Sequence, residues 1–228
     1  MTQITDHLAE IRGRVSFALE RAGRRADDVT IVAVSKGQPA EAIAAAFAAG
    51  QRDFGESYVQ EALAKMRSLE GLDIVWHYIG PIQSNKTRAI AENFDWVHTL
   101  DREKVALRLG EQRPFYAPPL NVCIQVNLAA EPQKAGIARN GVAELAGSIG
   151  ALPRLKLRGL MGVPPAGRSR ADTAAFFREL AALEAELNGA GFALDSLSMG
   201  MSGDFETAIE HGSTLVRIGT ALFGPRRA

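Results

Sequence analysis

The 228-residue sequence contains a single cysteine, Cys123. No intrachain disulfide can form, which is compatible with a reducing compartment. Cys123 lies in the apolar run Asn121-Val122-Cys123-Ile124-Gln125-Val126, where a thiol behaves as a small core hydrophobe. Aromatic residues make up only 7% of the chain against 46% hydrophobic residues, so the core must be built mainly from aliphatics. No stretch approaches the roughly 18 uninterrupted apolar residues of a membrane span. The first turns carry Asp6, Glu10, Arg12 and Arg14 rather than the apolar core of a signal peptide. A soluble, cytoplasmic protein is expected. Neither charge sign is in excess, with 26 basic residues against 26 acidic ones, which argues against nucleic acid or a membrane as partner. No low-complexity linker or charge block divides the chain, so one domain spanning 1–228 is expected.

What is present is a regular alternation. Ile4, Leu8, Ile11, Val15 and Leu19 recur at helical spacing and predict an amphipathic helix ending near Gly23. Strands are expected at 30–35, 53–54, 74–79, 96–99, 120–127, 155–160, 194–198 and 214–218. Helices are expected at 39–49, 57–69, from 84, at 101–110 with Asp101 as cap, at 142–149, 172–188 and 204–211. A last short helix runs through Phe223. Eight strands alternating with helices at short spacing predict an α/β fold, a parallel (β/α)8 TIM barrel with an extra N-terminal helix. A doubly wound sheet competes. It usually needs fewer strands, and no Gly-x-Gly-x-x-Gly follows the first strand.

In such a barrel the residues just past the strands' C-terminal ends gather at one mouth, where ligands bind. Lys36 ends the run Thr30-Ile31-Val32-Ala33-Val34-Ser35-Lys36, and Gly37 and Pro39 then stop the strand and open a helix. Desolvation along the stem disfavours the charged amine, which can then act as a Schiff-base nucleophile. On this segment alone, a solvated lysine at a loop start fits equally well. After strand 7 comes Ser198-Met199-Gly200-Met201-Ser202-Gly203-Asp204, with glycines for close approach and the Ser202 hydroxyl. After strand 8 comes Arg217-Ile218-Gly219-Thr220, whose N–H groups and hydroxyl suit an anion nest. Taken singly these are a helix cap and a turn. On adjacent loops beside a candidate Schiff-base lysine, they favour a phosphorylated carbonyl ligand, for which pyridoxal phosphate (PLP) is the obvious candidate. No metal site is read from the pattern.

Five motifs in order resemble the pyridoxal phosphate homeostasis proteins, whose barrel is shared with the N-terminal domain of alanine racemase. They are Val34-Ser35-Lys36, the segments 54–61 and 77–86, the segment 197–206, and Val216-Arg217-Ile218-Gly219-Thr220-Ala221-Leu222-Phe223-Gly224. The resemblance implies that Lys36 forms the internal aldimine with PLP. It implies that Ser202, Gly219 and Thr220 hold the phosphate and that Arg217 faces the pyridine nitrogen. A guanidinium there disfavours a protonated ring and weakens it as an electron sink.

The implied function is therefore PLP binding in intracellular vitamin B6 homeostasis rather than catalysis. PLP-dependent apoenzymes are the candidate recipients, and a monomer is expected. The alternative is a PLP-dependent amino-acid racemase, which needs a proton acceptor on each face of its substrate. In alanine racemase the opposing tyrosine comes from an additional β-domain, for which no room is expected after Gly224. Tyr58, Tyr78 and Tyr116 are the only tyrosines in the sequence. A Schiff-base aldolase is a third reading that leaves the motifs unexplained. The chain also departs from the family pattern. Gly37 and Gln38 stand where threonine and lysine are frequent, and Ser57 where asparagine is frequent. His77 admits a catalytic role or that of a core histidine with satisfied hydrogen bonds. Asn85 and Lys86 admit anion binding or a solvated helix start.

Overall fold

The computed structural model describes residues 2–128 and 135–225. Eight parallel strands close into a barrel in chain order: β1 (Thr30–Val34), β2 (Asp53–Glu56), β3 (Val75–Tyr78), β4 (Trp96–Leu100), β5 (Leu120–Gln125), β6 (Leu155–Met161), β7 (Ser196–Met201) and β8 (Leu215–Ile218). β8 pairs back onto β1 with Val32 opposite Arg217 and Ala33 opposite Ile218. The connecting helices are α2 (Ala40–Ala48), α3 (Val59–Ser68), α4 (Thr87–Asn93), α5 (Glu103–Gln112), α6 (Val142–Gly150), α7 (Arg170–Gly189), α8 (Phe205–Glu210) and α9 (Thr220–Phe223). The expected (β/α)8 barrel is the observed fold.

The N-terminal helix, α1 (Thr2–Arg21), buries Leu8, Ile11, Val15 and Leu19 and packs against α2, α8 and α9. His7 Nδ1 lies 3.0 Å from Leu222 O, and Arg14 pairs with Glu206 at 2.6 Å. The helix that opens the chain thus braces the helices that follow β7 and β8.

Strand alternation sorts side chains into two shells. Outward residues such as Phe54 pack beneath the helices. Phe54 is fully buried with its ring 6.2 Å from that of Trp76, so truncation to alanine would cost about 3–5 kcal/mol. Val32, Val34 and Lys36 share the opposite parity. A Cβ on Gly55 would meet Val32 Cγ1 at 3.1 Å and Ile79 Cδ1 at 3.2 Å, which marks that face as the barrel interior.

Several expected boundaries move. β2 runs to Glu56 rather than stopping at Phe54, because four register pairs with β3 outweigh the weak strand propensity of Gly55. β7 starts at Ser196 and continues through Met201, past the expected end at 198. Asp101 is not the cap of α5. Arg102 holds the N-cap position, and Asp101 pairs with the Arg102 guanidinium at 2.6 Å instead. The helix expected from 84 begins as a 3₁₀ turn, Ser84–Lys86, before α4. The loop expected after β5 falls partly on residues 129–134, outside the described residues.

Candidate functional site

Lys36 lies two residues beyond the end of β1, half-buried at the C-terminal mouth. Both of its chain neighbours are clamped from the outer shell. Ser35 Oγ donates to Glu56 Oε1 at 2.7 Å, and Ser35 O accepts from Lys65 Nζ at 2.7 Å. Lys65 Nζ also donates to Glu56 Oε1 at 2.7 Å and to Glu61 Oε1 at 2.6 Å. Glu61 Oε1 in turn accepts the Gly37 N–H at 2.6 Å. One ammonium and two carboxylates therefore hold the peptide on either side of Lys36. Glu56 is fully buried and its Oε2 has no hydrogen-bond partner, so burial raises its pKa against the opposing pull of Lys65 and Ser35.

The two loops expected to form an anion nest meet. The Ala221 N–H, in the first turn of α9, donates to Ser202 Oγ at 3.3 Å. The nest abuts the strand that carries Lys36, since a Cβ on Gly219 would lie 3.4 Å from Val34 O. Gly200, near the end of β7, has φ +93°, and a Cβ there would lie 2.6 Å from the Ala208 Cβ, so only glycine fits. Ser202 does not cap α8. Asp204 holds that position, and its Oδ1 accepts the Met201 N–H at 2.6 Å.

Arg217 points inward from β8 and is 5% exposed. Its Nη1 donates to Ser198 Oγ at 2.7 Å and its Nη2 to Gly162 O at 3.1 Å. Burial lowers its pKa to about 10, opposed by Asp204 and Cys123, so it stays cationic at neutral pH. Ser198 Oγ also lies 2.6 Å from His98 Nδ1. His98 Nε2 lies 2.9 Å from His77 Nδ1, and His77 Nε2 lies 3.0 Å from Asp53 Oδ1. Burial, with His77 and Arg217 adding to it, holds His98 well below the usual imidazole range, so it is neutral. His77 is thus a core histidine with both nitrogens occupied.

The alanine racemase N-terminal domain model matches residues 7–227. A Pseudomonas aeruginosa protein named pyridoxal phosphate homeostasis protein is 52% identical over 226 residues, covering 99% of this chain and 97% of its own. The Escherichia coli protein of that name is 48% identical over 229 residues, covering 99% of this chain and 98% of its own. This chain belongs to the pyridoxal phosphate homeostasis protein family. The solved structure of PipY of Synechococcus elongatus, with PLP bound, superposes with a TM-score of 0.87 at 38% identity over 97% of this chain and 100% of its own.

In the present chain the five expected site residues fall on or just past the adjacent β1, β7 and β8. Lys36, Ser202 and Gly219 are on the loops of the C-terminal mouth, Thr220 opens α9, and Arg217 lies deeper in the barrel. Ser57 is buried, and a Cβ on Gly80 would lie 2.2 Å from Ser57 O, so these two loops approach backbone to backbone. Asn85 and Lys86 sit in the 3₁₀ turn before α4. The Tyr78 hydroxyl donates to Pro81 O at 2.9 Å, and burial raises its pKa to about 12. Tyr116 is 79% exposed before β5, and Tyr58 is 60% exposed before α3. Among the described residues no cluster of three or more metal-ligating side chains occurs, and no helix is long and apolar enough to cross a membrane.

Sequence reasoning missed Glu56, Glu61 and Lys65 around Lys36, and Asp53, His98 and Ser198 beneath Arg217. The Glu61–Lys65 spacing of four on one helix was a usable signal. The rest depends on which strands become neighbours.

Proposed function

We propose that this protein binds PLP, with Lys36 as the Schiff-base lysine, and serves intracellular PLP homeostasis by holding and releasing it without robust turnover. The observation that carries the reading is one juxtaposition. A clamped lysine after β1 lies beside a two-loop nest after β7 and β8, with a buried cation deeper on β8. This donor set fits PLP. Lys36 supplies the amine, while Ser202, Gly219 and Thr220 offer hydroxyl and N–H donors suited to a phosphate dianion. Arg217 supplies the cation for the ring nitrogen. When bound, PLP supplies an aldehyde open to an amine and a ring able to withdraw electrons.

The residues' own work is then positional. The Ser35–Glu56–Lys65 cluster fixes the peptide that carries the amine, and Arg217, a donor that never accepts, leaves the ring nitrogen unprotonated. The racemase alternative needs a second-face base. The Tyr78 hydroxyl is committed to Pro81 O, which leaves Tyr58 as the exposed phenol just past β2 at this mouth. Homologues named for PLP homeostasis and the PLP-bound PipY structure support the binding reading. PLP-dependent apoenzymes are the proposed recipients, the cytoplasm the proposed compartment, and a monomer the proposed state.

The test is borohydride reduction of the PLP-loaded protein followed by peptide mass mapping. The adduct is expected on Lys36, and Lys36→Ala should lose the long-wavelength absorbance band. A retained band with the adduct on another lysine refutes the assignment.

A further inference from the structure

The barrel interior holds a chain of polar groups that the mouth residues alone do not require. From β2, β3, β4, β7 and β8 in turn, Asp53, His77, His98, Ser198 and Arg217 form four consecutive contacts of 3.0, 2.9, 2.6 and 2.7 Å. Asp53 begins β2, so it belongs to the N-terminal mouth. There its side chain is 24% exposed and lines a cleft of about 400 Å³ with Arg12, Thr30, Gln51 and Arg52. His77 and His98 are fully buried. The chain therefore joins solvent at one mouth to the cation at the other.

Its hydrogen-bond direction is forced from both ends. Arginine only donates, so Ser198 Oγ accepts from Arg217; with both imidazoles neutral, the Asp53 carboxylate, which only accepts, requires the Ser198 O–H to donate to His98 Nδ1. A neutral His98 then carries its proton on Nε2 and donates to His77 Nδ1. That leaves His77 Nε2–H to donate to the Asp53 carboxylate, which only accepts. Each of the four links holds one hydrogen, and every donor points from Arg217 toward Asp53. The His77 ring is also held flat against Trp96, with centroids 5.6 Å apart at 9°. The charged or titratable groups facing the chain, in addition to its own members, include Asp204 and Cys123 near Arg217 and Arg12 and Arg52 in the cleft at Asp53. Head-to-tail alignment between a cation and an anion polarises each bond in the same sense, and a broken link leaves a buried group unpaired.

We propose that Asp53, His77 and His98 are positioning residues for Arg217, a hydrogen-bonded chain through the barrel that orients the guanidinium from the opposite mouth. The consequence for bound PLP rests on the reading given under Proposed function; the chain itself does not.

The test uses the cofactor-free full-length protein labelled with ¹⁵N at histidine and arginine. Both imidazoles are expected as Nε2–H tautomers, with slow hydrogen exchange at the Arg217 guanidinium. Asp53→Leu removes the terminal acceptor and is expected to change the His77 tautomer and speed Arg217 exchange about tenfold, the loss of one buried hydrogen bond. Asp53→Asn keeps an acceptor and should restore both. Nδ1–H tautomers in the wild type overturn the proposal even if Asp53→Leu fails to fold. So does an Arg217 exchange rate unchanged when the His77 tautomer has switched. A second arm records the absorbance of bound PLP in the same variants. If Arg217 exchange responds and the spectrum does not, the chain stands and the assignment of Arg217 to the ring falls.

Discussion

Replacing Lys65 by methionine probes how the lysine at the mouth is held. Lys65 is 8% exposed at its side chain and makes three short contacts, to Ser35 O, Glu56 Oε1 and Glu61 Oε1. Methionine fills nearly the same volume, so the cost is electrostatic rather than a cavity. Glu61 is 31% exposed and falls back on water, whereas Glu56 is fully buried and is left as an uncompensated carboxylate. Breaking a buried pair in this way costs about 3–5 kcal/mol. For a chain of this length that is a fall in Tm of about 6–20 °C.

The loss must also depend on pH. Burial already raises the Glu56 pKa, and Lys65 is the largest opposing influence, so its removal raises that pKa further. A carboxyl raised in the folded state favours folding most below its unfolded value and loses that advantage as pH rises through its folded value. Destabilisation by Lys65→Met is therefore expected to be largest near pH 8 and to shrink toward pH 5 in urea titrations. Adding Glu56→Gln should recover much of the loss at pH 8. PLP affinity should fall in parallel, because Ser35 and Gly37 on either side of Lys36 lose their clamp. A loss equal at both pH values and untouched by Glu56→Gln would refute the reasoning.

Three further outcomes are expected. Thr220→Val should weaken PLP binding by about 1–3 kcal/mol in equilibrium dialysis while leaving pyridoxal binding unchanged; equal loss for both ligands would remove Thr220 from the phosphate nest. Glu184 on α7 carries a buried Oε1 without a partner, and burial, with Asp195 adding to it, raises its pKa to about 7. Its stabilising protonated form is lost as pH rises through that value, so Glu184→Gln should gain about 1 kcal/mol at pH 8, after allowance for partial exposure, and little at pH 5. α-Proton exchange of amino acids in deuterium oxide should stay far below a median enzyme turnover of about 10 per second. Exchange near that rate, abolished by Lys36→Ala or Tyr58→Phe, would promote the racemase reading.

The barrel was legible because its period is repeated eight times and each strand is a short apolar run bounded by turn residues. The placement of Lys36, Ser202 and Gly219 at one mouth was legible because a barrel of known direction puts every strand's C-terminal end there. β2 was only half legible. Its last two residues, Gly55 and Glu56, oppose strand propensity, and what overrides them is the pairing with β3 and the ammonium of Lys65. Asp101 was misread for a related reason, since a side chain that suits a cap was drawn to the neighbouring Arg102. The chain beneath Arg217 was illegible for want of geometry. Asp53, His77 and His98 are one polar residue in each of three strands, and only closure of the barrel brings β4 across to β7.

Arg217 is where the two shells bear on function. If Arg217 faces the ring nitrogen as proposed, a permanent cation there disfavours a protonated ring, which weakens electron withdrawal from a bound amino acid. Pulling the guanidinium down to about 10 by burial does not change this at neutral pH, and Asp204 and Cys123 favour the cation further. In the same proposed reading, the clamp around Lys36 and the nest at Ser202 direct their interactions to the amine and the phosphate, groups present equally before and after any reaction. Interactions that bind ground state and transition state alike lower the dissociation constant without accelerating chemistry. In the proposed reading, that distribution of contacts suits a protein whose work is retention and release, and its loss should appear as disturbed vitamin B6 pools rather than as a missing product.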